Sequence, residues 1–293
     1  RFDDTIQVVE YKLTAEQLLV FVLKQGELRT NSVAISQKNL EELVNRYLAA
    51  IGAESNMDFI EMAEKDPAGA FQKSLHLSNQ LYDLLIAPIA SELESEKTTY
   101  FVPDGVLFRL PFAALVKTDD HSQRFLIESL TIATIQSVHL LEDFIKMRKP
   151  ALAMNEMQVL AVGNPTGDLP EAEKEVKSLA NNLTNQVEAL IRADANEATV
   201  LQKLTQRQFD IFHVASHAKI DHYFPFDSYI ALSGATRDGD VTARRGAAHA
   251  DYDEARDGYL TAQEIAELDL THIRHCHVAA CQTAIGRLLR GEG

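Results

Sequence analysis

Strands and helices alternate regularly along the second half of the chain, and this alternation constrains the fold more than any other feature of the sequence. Short apolar runs bounded by turn residues are typical of buried strands, and apolar residues at helical spacing are typical of helices. The predicted strands span Gln158–Val162, Val187–Ile191, Phe209–Ala215 and His275–Ala280, and the predicted helices span Glu171–Leu183, Glu197–Leu204 and Thr261–Leu268. Strands that alternate with helices form parallel sheets, so the pattern predicts an α/β fold.

The first half of the chain has a different order of elements. Thr5–Leu13 and Leu18–Leu23 have the apolar, β-branched composition of strands. A helix is predicted from about Ala70 to Leu93, with a kink near Pro88. Leu126–Ile135 is predicted as another strand. Together with a boundary near residue 150, this predicts an N-terminal companion domain over residues 1–150 and a catalytic domain over residues 151–293.

Composition excludes several classes of protein. The formal net charge of the 293-residue chain is −15, and such an acidic chain repels phosphate backbones, so direct nucleic-acid binding is not expected. No apolar run reaches the length that a transmembrane helix needs, so no membrane partner is expected either. The two cysteines, Cys276 and Cys281, are too few for a disulfide framework, which favours a cytoplasmic protein.

Two residues that can support nucleophilic catalysis follow predicted strands. His217 comes two residues after the predicted strand that ends at Ala215, and Cys281 comes directly after the one that ends at Ala280. Active sites of parallel α/β sheets lie at the carboxyl ends of the strands. A cysteine attacks a carbonyl as the thiolate, and a neighbouring histidine supplies the base. The residues alone leave a second interpretation open, in which Cys281 is a small buried apolar residue.

Several motifs in order along the chain resemble the CHAT domain, a caspase-like cysteine peptidase family of the same clan as caspases and separases. They are YFVPDGVLFRLPFAAL, VLAVGNPTGDLPEAEKEV, VASHAKIDHYFPFDSYIALSG, DGYLTAQEIAELDL and HVAACQTAIGRLLRGEG. The resemblance implies a caspase-like three-layer sandwich after a smaller, pseudo-caspase-like companion domain. It also implies that the family's catalytic domain continues past Gly293, so the chain is expected to lack its C-terminal end.

The resemblance also assigns catalytic roles to residues of this chain. Cys281 corresponds to the nucleophile and His217 to its base and acid, and the backbone N–H groups of Cys281 and Ala218 correspond to oxyanion donors. The family has Gly after the histidine and Glu after the cysteine, where this chain has Ala218 and Gln282. If position 218 needs a positive φ, alanine would cost about 1 kcal/mol or more there.

The function implied is a cysteine endopeptidase that cleaves a protein or peptide substrate. Relatives combine such domains with regulatory TPR segments or activating protein complexes, some of them in bacterial antiviral or stress signalling. Asp221 and Asp227, which follow the histidine, are candidates for a pocket that selects a basic residue before the cut. Both are also ordinary residues for a solvated turn. The alternative function is a catalytically silent CHAT-like scaffold, which Ala218 would favour.

No cofactor is expected, and no metal site. The segment THIRHCH is rich in possible zinc ligands, but strand geometry points His275 and His277 to one face and Cys276 to the other. Cys276 is therefore predicted to be a core residue, and His213 a core or near-site histidine. The acidic segment Gly234–Asp257 has few large apolar residues and is predicted to be a long exposed loop. An order–disorder switch in this loop is a further hypothesis.

Overall fold

The computed structural model describes residues 2–53, 63–119, 122–183, 185–206, 208–221, 223–235 and 257–280. These residues divide into two compact units, with the boundary between Arg148 and Lys149. Each unit has its own sheet and its own buried apolar core. The predicted α/β class is confirmed, because both units combine helices with sheets that contain parallel strand pairs. Among the described residues, no helix is both long enough and apolar enough to cross a membrane.

The first unit is built on a mixed five-stranded sheet in the order β3-β2-β1-β4-β7. The first three strands form an antiparallel meander, and β4 and β7 pair in parallel with β1 and β4 respectively. A separate hairpin pairs β5 with β6. The strands are β1 (Ile6–Leu13), β2 (Leu18–Lys24), β3 (Glu27–Val33), β4 (Thr98–Val102), β5 (Val116–Asp119), β6 (Ser122–Phe125) and β7 (Thr131–Thr134).

Within the described part of this unit, three helices of nine or more residues accompany the sheet, and an aromatic stack forms part of its core. The helices are α1 (Gln37–Ala50), α2 (Pro67–Leu85) and α3 (Val138–Lys146). The ring of Phe101 stacks on that of Phe112 with a centroid distance of 4.5 Å, and Tyr11 stacks on Phe112 at 5.6 Å. All three aromatic side chains are almost completely buried, so this stack is a central part of the first unit's apolar core.

Two predicted elements of the first unit are wrong in extent. The helix predicted to continue to Leu93 ends at Leu85, and a 3₁₀ helix spans Ala87–Glu92. Pro88 explains this change, because proline has no N–H to donate to the preceding turn. The strand predicted over Leu126–Ile135 is also shorter. A 3₁₀ helix precedes it, in which the Glu128 carboxylate accepts a hydrogen bond from the Phe125 N–H at 2.7 Å.

The second unit contains a four-stranded sheet whose strands are all parallel, in the order β14-β10-β8-β9. The strands are β8 (Val159–Gly163), β9 (Val187–Ile191), β10 (Ile211–Ala215) and β14 (His275–Ala279). Helices α4 (Pro170–Asn182) and α5 (Glu197–Thr205) connect β8 to β9 and β9 to β10. Val176 of α4 packs with Ala161 in one apolar cluster, and Val200 of α5 packs with Leu160 in another. Because side chains alternate along β8, the two helices cover opposite faces of the sheet.

A small antiparallel sheet in the order β11-β12-β13 completes the described part of this unit. Its strands are β11 (Ala218–Lys219), β12 (Tyr229–Ala231) and β13 (Tyr259–Thr261), and helix α6 (Ala262–Glu267) follows. The predicted capping box of α6 is confirmed, because the Thr261 hydroxyl accepts from the Glu264 N–H at 3.2 Å and Glu264 accepts from the Thr261 N–H at 2.7 Å. Most of the predicted exposed loop, residues 236–256, lies outside the described residues.

Candidate functional site

His217 lies just beyond the carboxyl end of β10, where the chain leaves the parallel sheet. The residue before it, Ser216, is buried, and its N–H donates to the Ala279 carbonyl oxygen at 3.2 Å. The carbonyl oxygen of His217 accepts from the Ala231 N–H at 2.8 Å. The His217 side chain remains 33% exposed. The backbone is thus fixed on both sides of His217, while its imidazole can still be reached from solvent.

Asp168 is the partner of His217. Its two carboxylate oxygens each lie 3.0 Å from Nε2 of the imidazole. The Thr166 hydroxyl donates to the same carboxylate at 2.5 Å. The Thr166 hydrogen bond first, and the His217 hydrogen bond second, lower the pKa of Asp168 below its usual value. A carboxylate on Nε2 favours the tautomer that carries its proton there, which leaves Nδ1 as the basic nitrogen.

The loop that carries Asp168 is held by the buried residue Asn164. This residue adopts a positive φ of 51°, and its N–H donates to the Ala215 carbonyl oxygen at 3.1 Å. Its side-chain oxygen accepts from the Leu169 N–H at 2.7 Å. Asn tolerates the left-handed backbone better than most residues. Asn164 therefore ties the loop after β8 to the end of β10, close to the position from which His217 projects.

Two further features fix this loop against α4. A Cβ atom at Gly163 would lie 2.7 Å from a methyl group of Val176, so glycine is required for the close approach of the helix to β8. Glu173 accepts from Lys177 at 2.7 Å, from Arg192 at 2.7 Å and from Asn164 at 3.0 Å. These hydrogen bonds, that of Lys177 first, lower the pKa of Glu173 to about 2. Glu173 therefore stays ionised and keeps the Asn164 amide in place.

The strand that leads to Cys281 is adjacent to the strand that leads to His217. Strands β10 and β14 are parallel and in register, with Ala215 opposite Ala279. His217 is two residues beyond Ala215 in the sequence, and Cys281 is two residues beyond Ala279. Neighbouring strands of a sheet lie about 4.8 Å apart. Cys281 and Gln282 themselves lie outside the described residues.

A cavity of about 350 Å³ lies beside Ala218. Its lining is largely apolar and includes Ile230, Leu260, Ile265 and Val278, and Asp221 also contributes to it. The carboxylate of Asp221 accepts hydrogen bonds from the N–H groups of two following residues, both at 2.8 Å. Asp227 is not part of this lining; it ends the 3₁₀ helix Pro225–Asp227. Of the two predicted pocket acids, the structure places Asp221 at the cavity, where it also closes a turn.

Comparison with protein-family models shows to which family the chain belongs. The model of the CHAT domain matches residues 75–293, which is most of the chain. The chain belongs to the CHAT family. The resemblance stated from the sequence motifs is therefore confirmed. Comparison with curated proteins found no similar sequence at a significant level.

In this CHAT domain, Ala218 does not adopt a strained backbone. The described non-glycine residues with a positive φ are Gln25, Asn164, Asn185 and Arg192, so Ala218 has an ordinary φ in β11. Ala231 and His217 form a hydrogen-bonded pair, because the Ala231 N–H donates to the His217 carbonyl oxygen. Such pairs alternate with non-hydrogen-bonded pairs along an antiparallel ladder, so the next pair, which contains Ala218, is not hydrogen-bonded. The N–H of Ala218 therefore points away from β12.

The histidines of the CHAT domain form a cluster that the sequence analysis missed. His213 of β10 is buried, as predicted, and lies opposite His277 of β14. Their rings stack with a centroid distance of 5.0 Å, and Glu175 of α4 approaches His213 Nε2 to 3.1 Å. Burial lowers the pKa of His213 below its usual value, and the nearby Glu175 opposes this shift. Cys276, predicted to be a core residue, is instead exposed, which corrects that prediction.

Asp168 was also missed, although it is a direct hydrogen-bond partner of His217 among the described residues. In the sequence, Asp168 stands within the motif VLAVGNPTGDLPEAEKEV, and no role was predicted for it. The pair is separated by 49 positions, and no local pattern connects a turn aspartate with a histidine so far along the chain. The order of the strands in the parallel sheet could have indicated this contact. Both residues follow strands of one parallel sheet, and the carboxyl ends of those strands meet at one edge.

Proposed function

We propose that this CHAT domain is a cysteine endopeptidase in which Cys281 is the nucleophile, His217 is the base and acid, and Asp168 positions His217. The CHAT family is related to caspase-like cysteine peptidases. The observation that carries the proposal is the contact of Asp168 with His217 Nε2 at 3.0 Å, at the end of the strand that pairs with β14. We also propose that the catalytic domain has the caspase-like sandwich fold and that a companion domain precedes it.

In the proposed reaction, Nδ1 of His217 takes the thiol proton of Cys281 while Nε2 keeps its hydrogen bond to Asp168. The thiolate attacks the scissile carbonyl carbon, and the electron pair of the C=O bond moves to oxygen. The N–H groups of Cys281 and Ala218 are the proposed donors to this oxyanion. Collapse of the intermediate breaks the C–N bond, and the leaving amine takes the proton from Nδ1. Water, deprotonated by Nδ1, then hydrolyses the thioester.

The substrate is proposed to be a protein or peptide segment that binds beside β11. The cavity next to Ala218 is lined mainly by apolar groups, with one acid, Asp221, at its edge. Such a pocket suits a side chain with an apolar stem, and Asp221 would favour a positive charge at its tip. Regulation by a TPR segment or by an activating protein complex, and a cytoplasmic location, complete the proposal.

The direct test is cleavage of a peptide library by the intact protein, with and without its activating partners, compared with Cys281→Ala. We expect cleavage by the wild type and none above background by the variant, because the thioester cannot form without the thiol. Equal cleavage by the two proteins would contradict the proposal. Absence of cleavage by the wild type under activating conditions would favour the catalytically silent scaffold.

The positioning role of Asp168 is tested separately by Asp168→Asn. The amide cannot favour the Nε2–H tautomer as a carboxylate does, so we expect kcat/KM to fall by about tenfold or more. The pH profile of cleavage is also expected to change, which loss of a structural contact alone would not cause. Asp194→Asn is the matched control, because Asp194 is an exposed acid of the same unit. An unchanged rate and pH profile in Asp168→Asn would contradict the assigned role.

A further inference from the structure

Three potential metal ligands converge between α4 and the parallel sheet, away from the residues of the proposed protease chemistry. They are Glu175 of α4, His213 of β10 and His277 of β14, and one ligand atom from each lies within 4.8 Å of the others. The two histidines are directly opposite each other on adjacent parallel strands. Their side chains therefore project from the same face of the sheet, toward the helix that carries Glu175.

The burial and the hydrogen bonding of the His213 side chain are a second observation that points to a bound ligand. This side chain is 9% exposed, and its Nε2 has no hydrogen-bond partner among the described residues. The Glu175 oxygen lies 3.1 Å away, but the geometry is not that of a hydrogen bond. A buried polar atom without a hydrogen-bond partner carries a desolvation cost, and native proteins contain few of them. An ion bonded to Nε2 would remove this cost.

We infer that Glu175, His213 and His277 form a binding site for a divalent transition-metal ion, with zinc as the best match. Two imidazole nitrogens and one carboxylate oxygen are a donor set that zinc accepts in proteins, with a water molecule as the fourth ligand. Calcium and magnesium prefer sites made of oxygen atoms alone. Zinc bonds of about 2.0–2.1 Å would require the three groups to move somewhat closer together than they are.

The position of the site suggests a structural role for the ion. It would join α4 to β10 and β14, the two strands that lead to His217 and Cys281. His213 is four residues before His217, and His277 is four residues before Cys281. A bound ion would therefore fix the spacing of these two strands from the face of the sheet that α4 covers. This inference does not depend on the proposed protease activity, because no ligand of the site takes part in that reaction.

The test is zinc binding by the intact chain in a Cys276→Ser, Cys281→Ala background, which removes both thiols as competing ligands. Chelator-treated protein is titrated with zinc chloride against a chromophoric chelator, and its melting temperature is measured with and without zinc. We expect one zinc ion per chain and a higher melting temperature in its presence. Cobalt(II) is expected to give the intense visible absorption of a four- or five-coordinate site.

Variants of the three ligands decide whether the ion binds at this site. We expect Glu175→Gln and His277→Asn to weaken zinc binding by at least about tenfold. Both residues are exposed, so their replacement should not prevent folding, whereas His213→Gln changes a buried position. His76→Asn is the matched control, since it removes an exposed histidine of α2. No stoichiometric zinc binding, or equal affinity in Glu175→Gln, His277→Asn and the parent protein, would overturn the inference.

Discussion

Two aspartates near strand ends show how differently the two units of this chain use a carboxylate. Asp104 follows β4 in the first unit, and Asp168 follows β8 in the second. Asp104 is buried, accepts from the Leu13 N–H at 2.9 Å and pairs with Lys12 at 3.1 Å. Asp168 has a 44% exposed side chain and binds the imidazole of His217. The Asp104 carboxylate fixes the end of a strand, whereas the Asp168 carboxylate holds the titratable imidazole of His217.

The difference shows that the partner of a carboxylate indicates its role better than its place in the fold does. A buried carboxylate that accepts from the backbone satisfies a group that would otherwise lack a partner, and it therefore contributes mainly to stability. An exposed carboxylate paired with a half-buried histidine contributes little to stability. It can instead set the tautomer and the orientation of the ring. We expect substitutions in the two units to separate these effects.

The largest effect on stability is expected from the aromatic stack of the first unit. Phe101→Ala should lower the free energy of unfolding by about 3–5 kcal/mol, because it removes a buried ring and leaves a cavity. Urea unfolding measured by fluorescence or circular dichroism provides the value. Phe125→Ala is the control, since that ring is 38% exposed and its loss should cost much less. Equal costs for the two variants would contradict the assignment of this core.

A second effect concerns the pKa of Glu197, a buried carboxylate at the start of α5. Glu197 accepts from the Gly258 N–H at 2.8 Å, and burial first, with Glu264 next, raises its pKa to about 8. The folded state therefore binds a proton that the unfolded state releases above its ordinary pKa of 4.5. The stability from this group is complete below that value and is lost as the pH rises toward 8, by at most about 1.4 kcal/mol per pH unit.

Glu197→Gln removes this titration while keeping the size and polarity of the side chain. We expect the variant to become more stable relative to the wild type as the pH is raised from 5 to 8. Urea unfolding at several pH values measures the difference. Glu267→Gln, an exposed position of α6, should show no such trend. A wild-type advantage that stays constant over this pH range would contradict the raised pKa.

From the two aspartates we expect a smaller pair of effects, of the same sign and unequal size. Asp104→Ala should cost about 1–3 kcal/mol, because the Leu13 N–H loses its acceptor in a partly buried position. Asp168→Ala should cost less than about 1 kcal/mol, as expected for exposed ion pairs. Thermal or urea unfolding of both variants tests this. If Asp168→Ala proves the more destabilising of the two, the distinction drawn between these carboxylates is wrong.

Much of the fold follows from local patterns in the sequence. The strands β8, β9, β10 and β14 and the capping box of α6 have clear signatures, namely apolar runs between turns and the pair Thr261 and Glu264. The errors lie where backbone chemistry overrides apolar spacing. The apolar side of α2 continues past Leu85, but Pro88 cannot extend the hydrogen-bond pattern of the helix. The apolar alternation of β14 also did not reveal that Cys276, on the edge strand of the described sheet, is exposed.

The candidate site was predictable only in part. His217 could be found because a polar residue directly after a buried strand lies at the functional edge of a parallel sheet. Asp168 and the cluster of His213 with Glu175 depend on contacts between distant segments. Such contacts arise from strand order and helix packing, which local patterns in the sequence do not reveal. Strand alternation correctly separated His277 from Cys276, but it could not bring Glu175 to the same face.

The most direct test of the central claim is the reactivity of Cys281 with an alkylating agent, measured against pH in a Cys276→Ser background. We expect rapid alkylation of Cys281 near neutral pH, because His217 takes the thiol proton. The alkylation rate should fall by about tenfold or more in His217→Asn. Cys276 alone, in Cys281→Ser, should react more slowly than an ordinary thiol near neutral pH, because desolvation raises the pKa of its thiol. Equal rates for Cys281 with and without His217, at every pH, would contradict the claim that these two residues act together.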